Sequence, residues 1–170
     1  MDEESFWFHT KDKQELFVKC WKKTDKPKAI ILIAHGMAEH IERYNEVASY
    51  FADHHFIVYG HDHRGHGKTG QLAESLGFFA EKDGFDLVVQ DLMELTTFIK
   101  EKHPNIPIFL IGHSMGSFIC RRYMMLNGDN LNGVILIGTG FQSPLLLKAA
   151  KKIAKYMVKI KGKRTASPHF

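Results

Sequence analysis

Four almost purely apolar runs constrain this chain more than any other feature: KAIILIAHG (28–36), FIVYG (56–60), IPIFLIG (106–112) and NGVILIGTG (132–140). A strand with no polar face has to be covered on both sides, and that is the habit of parallel sheets wrapped by helices. The intervening segments supply the wrapping. IERYNEVASYFADHH (41–55) places Tyr44, Val47, Ala48 and Phe51 at helical spacing, and Gly84 to Lys102 places Val88, Leu92, Leu95 and Ile99 on one face before Pro104 stops it. Met115, Ile119, Tyr123 and Leu126 mark a third helix. Ahead of these, SFWFHT and ELFVKCWK, separated by KDKQ, read as a hairpin. The order is therefore a hairpin followed by β-α-β-α-β-α-β, an α/β fold with a mostly parallel sheet, an N-terminal antiparallel hairpin and helices on both faces.

In such sheets the chemistry lies beyond the carboxyl ends of the strands. HGMAEH (35–40), GHDHRGHGKTG (60–70), GHSMG (112–116) and GTGFQS (138–143) all fall there. GHSMG fits G-x-S-x-G between a predicted strand and a predicted helix, the setting in which the motif exposes a nucleophilic serine on a sharp turn. Gly112 and Gly116 are the small neighbours that such a turn needs, and the helix aims its positive end at charge forming on Ser114. A plain glycine-rich turn is the alternative. An acyl-transfer intermediate also needs amide donors at its oxygen, one from the residue after the nucleophile and one from the loop after an earlier strand. The amides of Met115 and Met37 stand at those two places. His35-Gly36 as an ordinary strand-to-helix turn is the competing reading.

HGMAEHIERY, DHRGHGKTG and GHSMG, in this order and spacing, resemble the α/β-hydrolases, and within them the monoacylglycerol lipase and lysophospholipase-like group that also includes serine-aminopeptidase-like hydrolases. The likeness covers Ala29 to Gly140. It implies that Glu39 and Arg43 line a polar pocket for the glycerol end of a monoester, with His35, Gly36 and His113 bordering the same site. It also implies a serine hydrolase of lipid-like carboxylic esters that works without metal or organic cofactor. Residue by residue, His35 and His40 read more readily as loop-bracing or pocket histidines than as a base for Ser114, and Asp62, Arg64 and His66 as braces of their loop.

A nucleophilic serine needs a base and a carboxylate that follow it in chain order. Only Asp129 and His169 do so. Asp129 falls in a helix-to-strand connection at the wrong end of the sheet, and His169 in a segment resembling the start of the family's mobile cap. The expectation is the N-terminal part of a larger fold: residues 1–142 as core and 143–170 as the start of a basic cap, with little turnover by these 170 residues alone.

Composition bounds the partners. Cys20 and Cys120 match no metal-ligand spacing or disulfide framework, which fits a reducing compartment. The start MDEESFWFHT is not a secretion signal, and no apolar run approaches the roughly 20 residues of a membrane span. The expectation is a cytoplasmic protein. Net charge is +4, yet all acids end at Asp129, and Lys148, Lys151, Lys152, Lys155, Lys159, Lys161, Lys163 and Arg164 follow. On a helical wheel the first five form one arc, with Leu146, Ala150, Ile153, Met157 and Ile160 on another. A cap helix with a solvated basic face is the plainer reading of 146–164; peripheral contact with an anionic membrane is the second. With Tyr156 as its sole aromatic, the basic run argues against nucleic acid. Three functions stay open: a lipid-ester hydrolase, a hydrolase of other esters or amides, and a non-catalytic chain that binds lipid or a partner.

Overall fold

Three of the four apolar runs become strands covered on both faces, while the fourth, at 132–140, is covered on one. The computed structural model describes residues 2–164. Strands β1 (Asp2–His9) and β2 (Glu15–Lys22) form the hairpin, and β3 (Ala29–Ala34) leads through a 3-10 turn at Ile41–Tyr44 into helix α1 (Asn45–Asp53). Then follow β4 (Phe56–His61), α2 (Gly67–Leu72), α3 (Gly84–Lys102), β5 (Ile108–His113), α4 (Met115–Asn127) and β6 (Gly133–Ile137). The sheet order is β1-β2-β4-β3-β5-β6, with β3, β4, β5 and β6 mutually parallel and β2 antiparallel to β1 and β4. After β4 the chain crosses back over β3 to lay down β5, so strand order reverses between β3 and β5. That reversal opens a crevice at their carboxyl ends. The register Ala34 to Gly112 starts the HGMAEH and GHSMG loops side by side.

Two apolar clusters sandwich the sheet. On one face Leu16, Ile30, Leu32 and Leu110 meet Val88, Leu92, Leu95 and Ile99 of α3 and Ile119 and Tyr123 of α4. On the other, Phe17, Trp21, Ile31, Ile33 and Val58 meet Ile41, Ala48 and Ala52. This second cover ends with α1. Beyond it, Ile135 and Ile137 of β6 stay 51% and 49% exposed, and a groove of about 490 Å³ runs over Ile33, Ile111, Ile135 and Ile137 beside Val47 and Phe51.

Part of DHRGHGKTG, read as a bracing loop, folds as the six-residue α2. Glycines and mixed polar residues give it no apolar period; a tertiary contact makes it helical instead, because the Asp62 carboxylate accepts from the Lys68 amide in the first turn at 2.7 Å. The same carboxylate accepts from the Ile41 amide at 2.7 Å, so Asp62 ties two loops together. The bracing reading itself holds. Arg64 donates to both oxygens of Asp91 on α3 at 2.6 and 2.7 Å and to Asp12 in the hairpin turn at 2.7 Å, and the His66 ring bonds the Arg64 carbonyl.

The chain divides into two units, 1–139 and 140–170. The second is built on helix α5 (Pro144–Lys161), which starts with proline after Ser143, whose hydroxyl accepts from the Leu146 amide at 3.3 Å. No residue of α5 is buried. Among the described residues no helix is long and apolar enough to cross a membrane. His169 lies outside the described residues.

Asp91 is 1% exposed, and burial pushes its carboxyl up to about 6 against the pull of Arg64. Removing it leaves the Arg64 guanidinium buried beside the exposed Asp12 alone. Asp91→Ala is expected to lower unfolding free energy by about 3 kcal/mol in urea titrations.

Candidate active site

Ser114 sits between the last residue of β5 and the first of α4, with φ 50° and ψ −115°. A left-handed φ is uncomfortable for any residue with a Cβ, and this pair of angles is one that glycine takes freely. The surroundings hold it there. The Ser114 amide donates to Ile137 O at 2.9 Å, while its carbonyl accepts from the Ser117 amide at 2.9 Å and the Ser117 hydroxyl at 2.6 Å. The flanking glycines are there for space. A Cβ on Gly112 would stand 2.5 Å from Cys120 Sγ and 2.6 Å from Gly116 O, and one on Gly116 would run into the Ala34 carbonyl and stand 2.7 Å from His35 O. Helix α4 thus starts pressed against the end of β3, and the turn at 114 is the consequence. Met115, whose amide opens the helix, is itself buried.

The HGMAEH loop meets this turn through one carboxylate. Glu39 Oε2 accepts from the Gly36 amide at 3.1 Å and from the Tyr44 hydroxyl at 2.8 Å, and Tyr44 also reaches His113 Nδ1 at 3.1 Å. The residue before Met37 is thereby connected, through Glu39 and Tyr44, to the residue before Ser114. Burial raises the Glu39 carboxyl, but the Tyr44 and Gly36 bonds outweigh it and keep the group below the usual range. Tyr44, half-buried beside that carboxylate, is pushed up. Arg43 is largely exposed, its Nη1 3.7 Å from Glu39 Oε1. Glu39, Arg43, Tyr44 and His113 form the polar end of the groove over β5 and β6. Met37 projects its side chain outward, 57% exposed.

His35 needs a correction. Expected at the border of a substrate site, it is fully buried: Nδ1 bonds the Gly36 carbonyl at 2.7 Å, Nε2 accepts from the His63 amide at 3.0 Å, and its ring lies on the His63 ring with centroids 4.1 Å apart. Both ring nitrogens are used in holding backbone, so His35 braces the loop rather than facing solvent. His61 and His63 complete the brace, linked Nε2 to Nδ1 at 3.2 Å, with His61 Nδ1 and His63 Nε2 buried and unpaired. Burial holds His35 down to about 4 and His61 to about 3, and it holds His63 well below the ordinary value.

The sequence reading placed Tyr44 on a helix face; the structure puts it in the 3-10 turn as the hydroxyl that joins the two loops. Asp129 lies in a 3-10 turn (Gly128–Asn130) ahead of β6, at the amino end of the sheet, away from Ser114. Among the described residues no histidine is hydrogen-bonded to the Ser114 hydroxyl, and no group of three or more His, Cys, Asp or Glu is placed to hold a metal.

Residues 25–169 match the family described as serine aminopeptidase, S33. The chain belongs to this family. Among curated relatives, it is 36% identical to the monoglyceride lipase of Rattus norvegicus over 136 residues, 80% of this chain and 41% of that protein. It is 32% identical to the monoacylglycerol lipase of Mycolicibacterium smegmatis, covering 79% of this chain and 48% of that protein. The chain thus spans less than half the length of the curated relatives it matches. Among solved structures, a thermostable carboxyl esterase from Bacillus coagulans, in complex with glycerol, superposes with a TM-score of 0.85 at 30% identity over 98% of this chain and 54% of that one. A monoglyceride lipase from Saccharomyces cerevisiae shares the α/β-hydrolase fold, with a TM-score of 0.70 at 22% identity over 93% of this chain and 53% of that one.

The buried histidines set a pH dependence. Each is neutral in the fold and protonates near pH 6.5 once unfolded, so its contribution is complete above about 6.5 and is lost as pH falls toward the folded values. Asp91 and Asp62, raised rather than lowered by burial, act in the opposite direction, but they are two groups against three. Unfolding free energy is expected to drop by about 3 kcal/mol from pH 7.5 to 5, read by urea denaturation at each pH. His61→Phe should flatten that slope.

Proposed function

We propose that this chain carries the nucleophile and oxyanion hole of a serine hydrolase that cleaves carboxylic esters of lipid-like substrates, monoacylglycerols or lysophospholipids. The observation that carries the reading is the backbone of Ser114, kept in a glycine-type conformation at the mouth of the β3/β5 crevice. Strain of this kind persists where the surrounding structure over-determines it, and it gathers at reacting groups. The names of the relatives, monoglyceride lipases and a carboxyl esterase, support the ester class.

In this reading the Ser114 hydroxyl oxygen attacks the ester carbonyl and gives its proton to a histidine base. The carbonyl oxygen takes up the negative charge and is met by the amides of Met115 and Met37, the first reinforced by the start of α4. Collapse expels the alcohol, which takes the proton from the base, and leaves an acyl group on Ser114. Water then repeats the sequence and releases the fatty acid. Arg43, exposed beside the site, and Glu39 next to it orient the polar head of the substrate, with His113 and Gly36 forming the wall. Glu39 also has a second task that the resemblance did not suggest, since two of its bonds hold the oxyanion loop itself.

In this reading the base and its orienting carboxylate come from outside the described residues around Ser114. The 170 residues alone are therefore proposed to be nearly inert. 4-Nitrophenyl butyrate should be hydrolysed at the background rate, equally by the chain and by Ser114→Ala; Ser114-dependent turnover would contradict this. In the hydrolase completed by an acid and a base, long-chain monoacylglycerols should exceed aminoacyl anilides by at least about tenfold in kcat/KM. The reverse order would favour an aminopeptidase, the activity named in the family description.

A further inference from the structure

A short series of hydrogen bonds links the two loops of the site, and its hydrogens can be assigned one by one. Glu39 Oε2 takes one from the Gly36 amide at 3.1 Å and one from the Tyr44 hydroxyl at 2.8 Å. An ionised carboxylate can only accept, so the single hydroxyl hydrogen of Tyr44 points to Glu39. Tyr44 then has nothing but lone pairs to offer His113 Nδ1, 3.1 Å away. Nδ1 also lies 3.5 Å from Glu39 Oε2, a second acceptor. Between two acceptors, Nδ1 has to carry the hydrogen. Neutral histidine in water favours the other tautomer, with the hydrogen on Nε2, so the site selects the rarer form.

The ends of this relay fall next to the two reacting positions. Gly36 directly precedes Met37, and His113 directly precedes Ser114. The sheet already ties the two loops at their roots, where Ala34 pairs with Gly112. The relay ties them again above the sheet. A Cβ on Gly36 would stand 3.2 Å from Glu39 Oε2 and 3.3 Å from His113 Nδ1, so the loop backbone is pressed against both ends of the relay. Its middle member comes from a third place, the 3-10 turn Ile41–Tyr44, whose first amide is held by Asp62. An amide that stabilises developing charge has to be in position before the charge appears. For a donor on a loop, such as the Met37 amide, a second tie supplies that.

We propose that Tyr44 is a positioning residue, whose hydroxyl holds His113 in the Nδ1–H form and thereby fastens the Met37 loop to the Ser114 turn. It touches no reacting atom and acts through Gly36 and His113. What the fastened loop is for rests on the hydrolase reading, whereas the relay does not. An idle Ser114 leaves every readout below in place, and a failed relay leaves the Ser114→Ala comparison untouched.

The test is nuclear magnetic resonance of the isotope-labelled 170-residue chain. Long-range proton–nitrogen spectra at about pH 8, where an ordinary histidine is neutral, should show His113 with its hydrogen on Nδ1. The Gly36 amide shift reports the Glu39 carboxylate, and its titration midpoint should rise in Tyr44→Phe, because one of the bonds that lower it is gone. Exchange of the Gly36 amide should speed up about tenfold in the same variant. Asparagine can place an amide hydrogen near Nδ1 and leucine cannot, so His113→Asn should keep the slow exchange that His113→Leu loses. A hydrogen on Nε2 of the parent's His113 would overturn the proposal without any variant. So would a Tyr44→Phe chain with the parent's Gly36 midpoint and exchange rate, or equal exchange in His113→Asn and His113→Leu, since His113 would then be a bystander.

Discussion

The close approach of α4 to the carboxyl end of β3 is the contact on which the site depends. Gly116 has no side chain because the Ala34 and His35 carbonyls occupy that space, and Gly112 has none because Gly116 and Cys120 do. With helix and strand so near, the chain has only one residue in which to turn. That residue is Ser114, and the price is a backbone that prefers glycine. The same contact places the start of α4 beside the HGMAEH loop, where the Ala34 to Gly112 register already has the two loops leaving neighbouring strands.

The rest of the carboxyl edge is bracing, and its chemistry is that of buried polar groups satisfied by backbone. Asp62 joins the Ile41 and Lys68 amides, His35 joins Gly36 and His63, and Glu39 joins Gly36 to Tyr44. Each replaces water that a loop would otherwise need, and so keeps a loop-built site rigid. Arg64 and Asp91 carry the bracing down to α3. A wealth of histidine in a chain with a candidate nucleophile invites a search for the base. Here His35, His61 and His63 are neutral spacers, held below their ordinary protonation range by burial.

How much was legible in the sequence follows from what period and composition encode. The buried strands and α3 announce themselves, because apolar runs and a 3.6-residue period are direct signatures of burial. Helix α3 begins and ends where the pattern does, at Gly84 and Lys102. The turn at Ser114 was legible because two glycines flank it between recognisable elements. Helix α2 was not, since a carboxylate five residues earlier makes it, rather than any pattern of its own. Tyr44 was placed on a helical face because spacing reports direction and not hydrogen bonding. The resemblance puts His35 at the border of the substrate site, whereas its two ring nitrogens bond the Gly36 carbonyl and the His63 amide, partners that no spacing in the sequence reports.

The central claim is that the fold forces a strained turn on Ser114 in order to present its hydroxyl. Its most direct test is the unfolding free energy of Ser114→Gly against the parent chain by chemical denaturation. Glycine relieves the left-handed φ at some cost in chain entropy, so the variant should be more stable by about 1 kcal/mol, while Ser114→Ala should change little. A Ser114→Gly chain that is less stable than its parent would show the turn to be relaxed, and the reading of Ser114 as a residue held for reaction would lose its physical basis.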